Sequence, residues 1–335
     1  MNQTGLRRLL HVALTLSAAI FSGPPASAHT PSLPHRWPVA VEGHTLIVWE
    51  RRPPTPKGVI LLLHGRTWSA LPDFDLQVPG EERSVMRALQ ARGYAAYALD
   101  LRGYGATARD STGWLTPDRA AADVAAVLQW LTERNPSLPR PVLLGWSNGA
   151  RVAQLAAQRS PSLISTLVLY GYPHDPAVVI SATPTPPTPP RDRNTAADAA
   201  SDFISPRVMS QRVIDIYVRA ALQADPVRVD WRALEQWNAL KPEEVHVPTL
   251  LLHGARDPLA KVDAQARLFT RLGTADREWR VLAGGDHAAL IEDTQPAFVA
   301  VVCEFIERPR LRPAPEFGAS HIQEGVGKAE MLVSP

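Results

Sequence analysis

From Thr45 onward the chain alternates short apolar runs with stretches whose apolar residues recur at helical spacing. Val59-Ile60-Leu61-Leu62-Leu63 is continuously apolar, the pattern of a strand covered on both faces of a parallel sheet. Residues 81–92 then read as a helix, with Val85, Met86 and Leu89 on one face and Gly93 as its stop. Tyr94 to Leu99 reads as the next strand. In Thr116-Pro117 a capping residue precedes proline at the first helical position. Val124, Val127, Leu128 and Leu131 follow at i, i+3, i+4 and i+7, which predicts a helix over 117–134.

Three more strand-like runs come next: Val142 to Leu144, Leu163 to Tyr170, and Thr249 to Leu252. A helix over 262–272, a strand over Trp279–Leu282 and a helix over 293–306 complete the alternation. Such alternation implies an α/β fold with an open, mostly parallel central sheet and helices on both faces. Its ligand site should lie beyond the carboxyl ends of the strands. Residues 174–246 interrupt the pattern. Five of the chain's 32 prolines fall between Pro184 and Pro190, which excludes helix and interior strand there. Helical patterns resume over Val208–Leu222 and Trp231–Leu240. A segment of this size predicts a small helical cap inserted between core parts at 29–173 and 247–307, acting either as a moving lid or as a static roof.

The termini read differently. Arg7 and Arg8, a mostly apolar run from Leu9 to Phe21, the Gly23-Pro24-Pro25 break and Ala26-Ser27-Ala28 follow the order of a secretory signal, with cleavage expected after Ala28. The apolar run is shorter than the roughly 20 residues a membrane-spanning helix needs. The expected location is therefore secreted or periplasmic, with no membrane span after cleavage. The last segment, 308–335, is poor in large apolar residues and reads as a disordered tail.

Composition narrows the function. Cleavage would remove two of the 35 basic residues, balancing the 33 acidic ones, so the formal +2 charge carries no preference for a polyanion and no nucleic-acid partner is expected. The single cysteine, Cys303, excludes an internal disulfide and a Cys-rich zinc site. No metal and no cofactor is implied.

The candidate chemistry lies in Gly145-Trp146-Ser147-Asn148-Gly149, which follows a strand and opens a helix. A sharp, glycine-flanked turn there would present Ser147 on a strained backbone at the top of the sheet. Serine is a poor nucleophile until a base, itself oriented by a third group, takes its proton. His287, in Gly284-Gly285-Asp286-His287, is the candidate base, and Asp257, past the strand end at Leu252, is the candidate acid. Asp286 competes for the acid role, but adjacent residues point apart. The backbone N–H groups of Asn148 and Arg66, the latter in His64-Gly65-Arg66-Thr67-Trp68, are the candidate oxyanion donors. His64 reads as structural. The Arg66 guanidinium either favours an anionic substrate or points to solvent. Trp68, Trp146 and Tyr172 are candidate pocket residues, and Trp114 reads as core.

These motifs, with Asp100-Leu101-Arg102-Gly103-Tyr104-Gly105 after the second parallel strand, resemble the α/β-hydrolase superfamily over roughly residues 44–306. The serine at the elbow separates the chain from the haloalkane dehalogenase and epoxide hydrolase branches, which place aspartate there. The resemblance implies a serine hydrolase acting on carboxylic esters or related small acyl compounds. Hydrolysis of C–C bonds, lactone opening or cofactor-free perhydrolysis would use the same triad, and a non-catalytic binding protein could keep the fold. Neither the acyl chain length nor the oligomeric state follows from these residues.

Overall fold

A computed structural model describes residues 33–205 and 208–309 of the chain. The expected signal sequence at 1–28 and nearly all of the expected tail from 308 lie outside the described residues.

Eight strands form one sheet: β1 (His35–Val41), β2 (His44–Arg51), β3 (Gly58–Leu63), β4 (Tyr94–Asp100), β5 (Val142–Trp146), β6 (Thr166–Tyr170), β7 (Thr249–Gly254) and β8 (Arg277–Leu282). Their spatial order is β1-β2-β4-β3-β5-β6-β7-β8. The first two joins, β1 with β2 and β2 with β4, are antiparallel, and every other join is parallel. The fold is therefore an α/β-hydrolase fold. Strand β1 escaped the periodicity reading because Pro38 interrupts it. Proline is tolerated there because β1 is an edge strand, where a missing N–H breaks no second ladder.

Every residue of β3 is buried, as its unbroken apolar run requires. Val59, Leu61 and Leu63 face one core, and Ile60 and Leu62 face the other. Among the described residues eight α-helices accompany the sheet: α1 (Ala70–Phe74), α2 (Val85–Ala91), α3 (Pro117–Arg134), α4 (Asn148–Arg159), α5 (Ala196–Ala200), α6 (Gln211–Ala224), α7 (Val262–Arg271) and α8 (Gln295–Glu307). On the first face α3 buries Val124, Val127, Leu128 and Leu131, each contributing about 1.5–3 kcal/mol relative to exposure. Thr116 caps this helix by accepting from Arg119 N at 3.2 Å, so both ends fall where the sequence places them. On the second face α2 and α8 supply Val85, Met86, Leu89, Phe298 and Val302.

Three local expectations are corrected. Glu81–Arg83 pairs antiparallel with Leu76–Val78, so the helix expected from 81 starts only after Ser84, whose hydroxyl accepts from Arg87 N at 3.0 Å. Pro161–Leu163 is a 3₁₀ turn, and the strand expected from Leu163 starts at Thr166. The helix expected over 231–240 is instead a two-residue parallel bridge, Asp230–Trp231 against Trp114–Leu115, followed by 3₁₀ helix at Leu234–Ala239. Trp231 explains the last difference. Its indole N–H donates to the Tyr104 hydroxyl at 2.8 Å, which fixes the chain in a position a continuous α-helix would not hold. Trp114 is buried in this bridge, as a core residue. Between β6 and β7 the chain contributes α5, α6 and the 3₁₀ turns, and the Pro184–Pro190 stretch forms neither helix nor strand and is largely exposed.

Candidate active site

Ser147 sits between β5 and α4 at φ 55 and ψ −118, the left-handed region that non-glycine residues avoid. Holding it there costs on the order of 1–3 kcal/mol, and strain of this kind concentrates at functional turns. The turn is so tight that a Cβ on Gly145 would lie 2.3 Å from Gly149 O, and one on Gly149 would lie 2.4 Å from the carbonyls of Leu63 and His64. Side chains at either position would push α4 off the sheet. The Ser147 amide donates to Tyr170 O at 2.9 Å, while its hydroxyl makes no capping bond to α4 and has no hydrogen-bond partner among the described residues.

Asp257 follows β7 and His287 follows β8. The Asp257 carboxylate receives Leu259 N at 2.9 Å and Ala260 N at 3.1 Å on Oδ1, and its Oδ2 lies 2.9 Å from His287 Nδ1. Both side chains are buried. Burial alone would push the Asp257 carboxyl up, but the His287 hydrogen bond and charge, with the two amides, hold it below the usual carboxylate range. Asp286 has other partners: Ser205 N at 2.6 Å and Ala288 N at 3.0 Å. Trp146 Nε1 donates to the His287 carbonyl at 2.8 Å, tying the loop that carries His287 to the serine turn. Ser147 and His287 border one cavity. No hydrogen bond joins their side chains among the described residues; bonds of this kind in unliganded sites often tighten only when a ligand is bound.

The turn after β3 is fixed from three sides. The Gly65 carbonyl can only accept, so His64 Nδ1, 2.9 Å away, carries the ring proton, and Nε2 accepts from Leu101 N at 3.2 Å. Both nitrogens are thus satisfied by the neutral ring, and burial holds the His64 pKa down at about 4 despite the Gly65 bond. Tyr104 donates to the Arg66 carbonyl, and Asp73 Oδ2 accepts from Gly65 N at 3.3 Å. Among the described residues neither Arg66 N–H nor Asn148 N–H donates to a protein acceptor. Both residues border the cavity beside Ser147, so both donors are available to a bound oxygen.

The cavity holds about 270 Å³ and includes Trp68 and Trp146 in its lining. Tyr172 is the exception among the expected pocket residues. It is fully buried outside the lining, donating to Gln154 Oε1 at 2.5 Å, and supports α4 from behind. Four polar lining residues were not expected from sequence: Asp73, Asp202, Arg151 and Thr67. Tyr217 from α6 bridges the first two, 3.0 Å from each carboxyl. A hydroxyl has one proton to give, so one of the two acids must itself donate to the tyrosine oxygen. Accordingly, burial, with the charge of Asp202 beside it, pushes the Asp73 carboxyl well above its ordinary range, and burial raises Asp202 to about 6.

The family model described as serine aminopeptidase, S33, matches residues 54–294. Among curated proteins, none matches this chain in sequence. Solved structures do. A hydrolase from Pseudomonas aeruginosa PA01 superposes with a TM-score of 0.61 at 19% identity, covering 82% of this chain and 98% of that one. The thioesterase domain from the curacin biosynthetic pathway gives 0.58 at 21% identity, covering 81% and 100%. The epoxide hydrolase VrEH1 from Vigna radiata gives 0.56 at 19% identity, covering 82% and 97%. At these identities the likeness is one of fold, shared by proteins of different chemistry.

Proposed function

The chain belongs to the serine aminopeptidase S33 family of hydrolases, and on that premise we propose that it is a serine hydrolase cleaving carboxylic esters or related small acyl compounds. One observation supports this reading above the others. A single small cavity brings together an uncommitted serine hydroxyl on a strained turn, a histidine held by a buried carboxylate, and two unused backbone N–H groups. Those are the parts acyl transfer needs.

In this reading Ser147 Oγ attacks the carbonyl carbon as His287 takes its proton. The N–H groups of Arg66 and Asn148 receive the negative charge that develops on the carbonyl oxygen; such a donor is typically worth 10²–10³ in rate. The tetrahedral adduct collapses, its C–O bond to the alcohol breaks, and His287 returns the proton to the departing oxygen. Water then repeats the cycle on the acyl-enzyme and releases the acid. Asp257 keeps the proton of His287 on Nδ1, leaves Nε2 as the basic nitrogen and stabilises the imidazolium. No step calls for a metal or cofactor. The signal-like start supports a secreted or periplasmic location for this activity on small acyl substrates.

A fluorophosphonate probe tests the reading directly. Mass spectrometry should find the phosphonyl group on Ser147, and Ser147→Ala should abolish p-nitrophenyl acetate turnover. An unlabelled Ser147 together with full turnover by the alanine variant would overturn it.

A further inference from the structure

Arg151 is a partly buried cation with no counter-ion among the described residues. It lies one turn into α4, four positions after Ser147 and so on the same side of the helix, about 6 Å further along its axis. One terminal nitrogen donates to Asn148 Oδ1 at 2.8 Å, and the guanidinium stands 4.9 Å from the centre of the Trp237 ring. Its Nε is buried without any hydrogen-bond partner, as is Nδ2 of the neighbouring Asn148. Among the described residues no carboxylate comes within ion-pair distance of Arg151. Elsewhere in this molecule buried guanidinium groups are matched: Arg51 with Asp75 and Arg102 with Asp123, each by paired bonds of 2.6 and 2.8 Å. Buried charge is ordinarily paired because an unpaired one carries its full desolvation cost.

The near neighbour of Arg151 is a second cation. Arg66, exposed at the cavity rim, also lacks an ion-pair partner among the described residues and lines the same cavity as Arg151 and Ser147. Burial, and then the charge of Arg66, lower the Arg151 pKa to about 10, so the group stays cationic at neutral pH. None of the acidic residues in the lining pairs with either arginine: Asp73 and Asp202 are engaged with Tyr217 instead. Two like charges beside a nucleophile, one of them desolvated, repel each other until an anion comes between them.

We propose that Arg151 and Arg66 form an anion subsite, and that the preferred substrate is a small ester bearing a free carboxylate. The proposal rests on the serine-hydrolase reading above and names the substrate class of that site. A guanidinium with Nε and one terminal nitrogen unused keeps charge-assisted donors for a carboxylate, and Asn148 Nδ2 adds another. The spacing of one helical turn from Ser147 suits a carboxylate two or three carbons from the scissile carbonyl. The cavity volume of about 270 Å³ sets the same scale, because it lies at the lower limit of ligand pockets.

Two matched substrate pairs test this, one for each side of the ester. Monoethyl succinate is compared with ethyl succinamate, and O-acetylglycolate with O-acetylglycolamide, following acid release in a pH-stat. At least one pair should show a kcat/KM ratio above tenfold in favour of the anion, carried by KM. Arg151→Met should bring that ratio close to one, Arg151→Lys should restore part of it, and Arg66→Ala, at an exposed side chain that leaves the backbone N–H in place, should lower it. The ratio is internal to each variant, so general damage to the fold leaves it unchanged. Ratios near one in the wild type, or unaltered by both Arg151→Met and Arg66→Ala, would overturn the subsite. If the wild type cleaves no ester and Ser147 resists the fluorophosphonate probe, the serine-hydrolase reading is what has failed. The subsite is then judged by calorimetry with Ser147→Ala. Succinate binding that weakens tenfold or more on adding Arg151→Met upholds it, and absence of binding overturns it.

Discussion

Acid should loosen this protein at a definable place. His64 is fully buried directly before the oxyanion turn, with Nδ1–H given to the Gly65 carbonyl and Nε2 receiving Leu101 N–H. A second ring proton would have to sit on Nε2 and would confront the Leu101 N–H. The folded pKa is about 4 against 6.5 for a free histidine, so between these values the unfolded chain binds the proton and the folded chain does not. Stability from this residue is therefore complete above about pH 7, falls as pH drops through 6.5, and reaches its floor near 4. The linkage relation with those two values gives a loss of about 2 kcal/mol between pH 7.5 and pH 5. Urea unfolding at both pH values, in wild type and His64→Gln, measures it. His174, whose pKa burial also lowers to about 4, contributes to both proteins and cancels in the difference. The wild type should lose about 2 kcal/mol more than the variant over this interval. Equal losses in the two proteins would refute the assignment.

Two further substitutions probe the loops around the serine. A Cβ on Gly254 would lie 2.3 Å from Asp286 O and 2.5 Å from Gly285 O, so Gly254→Ala must displace the backbone that carries His287. A shift on the order of 1 Å at a catalytic group typically costs about 100-fold, and kcat measured on p-nitrophenyl acetate should fall by that order while the far-ultraviolet circular dichroism keeps its α/β shape. Tyr104→Phe frees the Arg66 carbonyl and leaves the buried Trp231 N–H without its acceptor. Thermal unfolding should show a loss of about 1–3 kcal/mol, with a fall in kcat and little change in KM, because Arg66, loosened at its carbonyl, carries on its other side the proposed oxyanion N–H, which binds only the developing charge.

The parts of this molecule legible in the sequence are those fixed by neighbours in the chain. Thr116 and Pro117 announce α3 because capping is local. Gly145 and Gly149 announce the serine turn because the clash they avoid lies within five residues and the adjacent strand. Asp257, His287, Arg66 and Asn148 are legible as candidates because each stands in a short motif at a strand end. The remaining cavity wall depends on contacts between distant segments. Tyr217 meets Asp73 across 144 positions, and no local signal in Ala70–Phe74 marks an acid that will share a proton with α6. Arg151 reads as an ordinary helical arginine until the absence of any acidic neighbour is visible in space. Tyr172 misled for the opposite reason. It follows β6 at the expected height, but Gln154 draws its hydroxyl down behind α4. Trp231–Leu240 has apolar spacing that suits a helix, and one long-range bond, Trp231 to Tyr104, decides otherwise.

Those same long-range bonds bear on whether the segment between β6 and β7 moves as a lid. Asp225, which ends α6, accepts from Ser69 N and Gly105 N, both at 2.8 Å, and so clamps the loops after β3 and β4. Ser205 holds Asp286 beside the base, Tyr217 holds Asp73 beneath Gly65, and Trp231 holds Tyr104 against Arg66. Swinging the whole segment outward would break these bonds together, at roughly 1 kcal/mol for each neutral bond and 1.5–3 for each bond to a carboxylate. It would also dismantle the turn that presents the Arg66 N–H, the proposed oxyanion donor, so an open state could not be one poised for that chemistry. The prolines of 184–190, all exposed but the half-buried Pro189, carry none of these hydrogen bonds among the described residues. The segment is accordingly built as a brace for the loops that carry the oxyanion turn and the base, and substrate must reach Ser147 past Arg66 and Leu259 at the exposed rim of the cavity rather than through a raised roof.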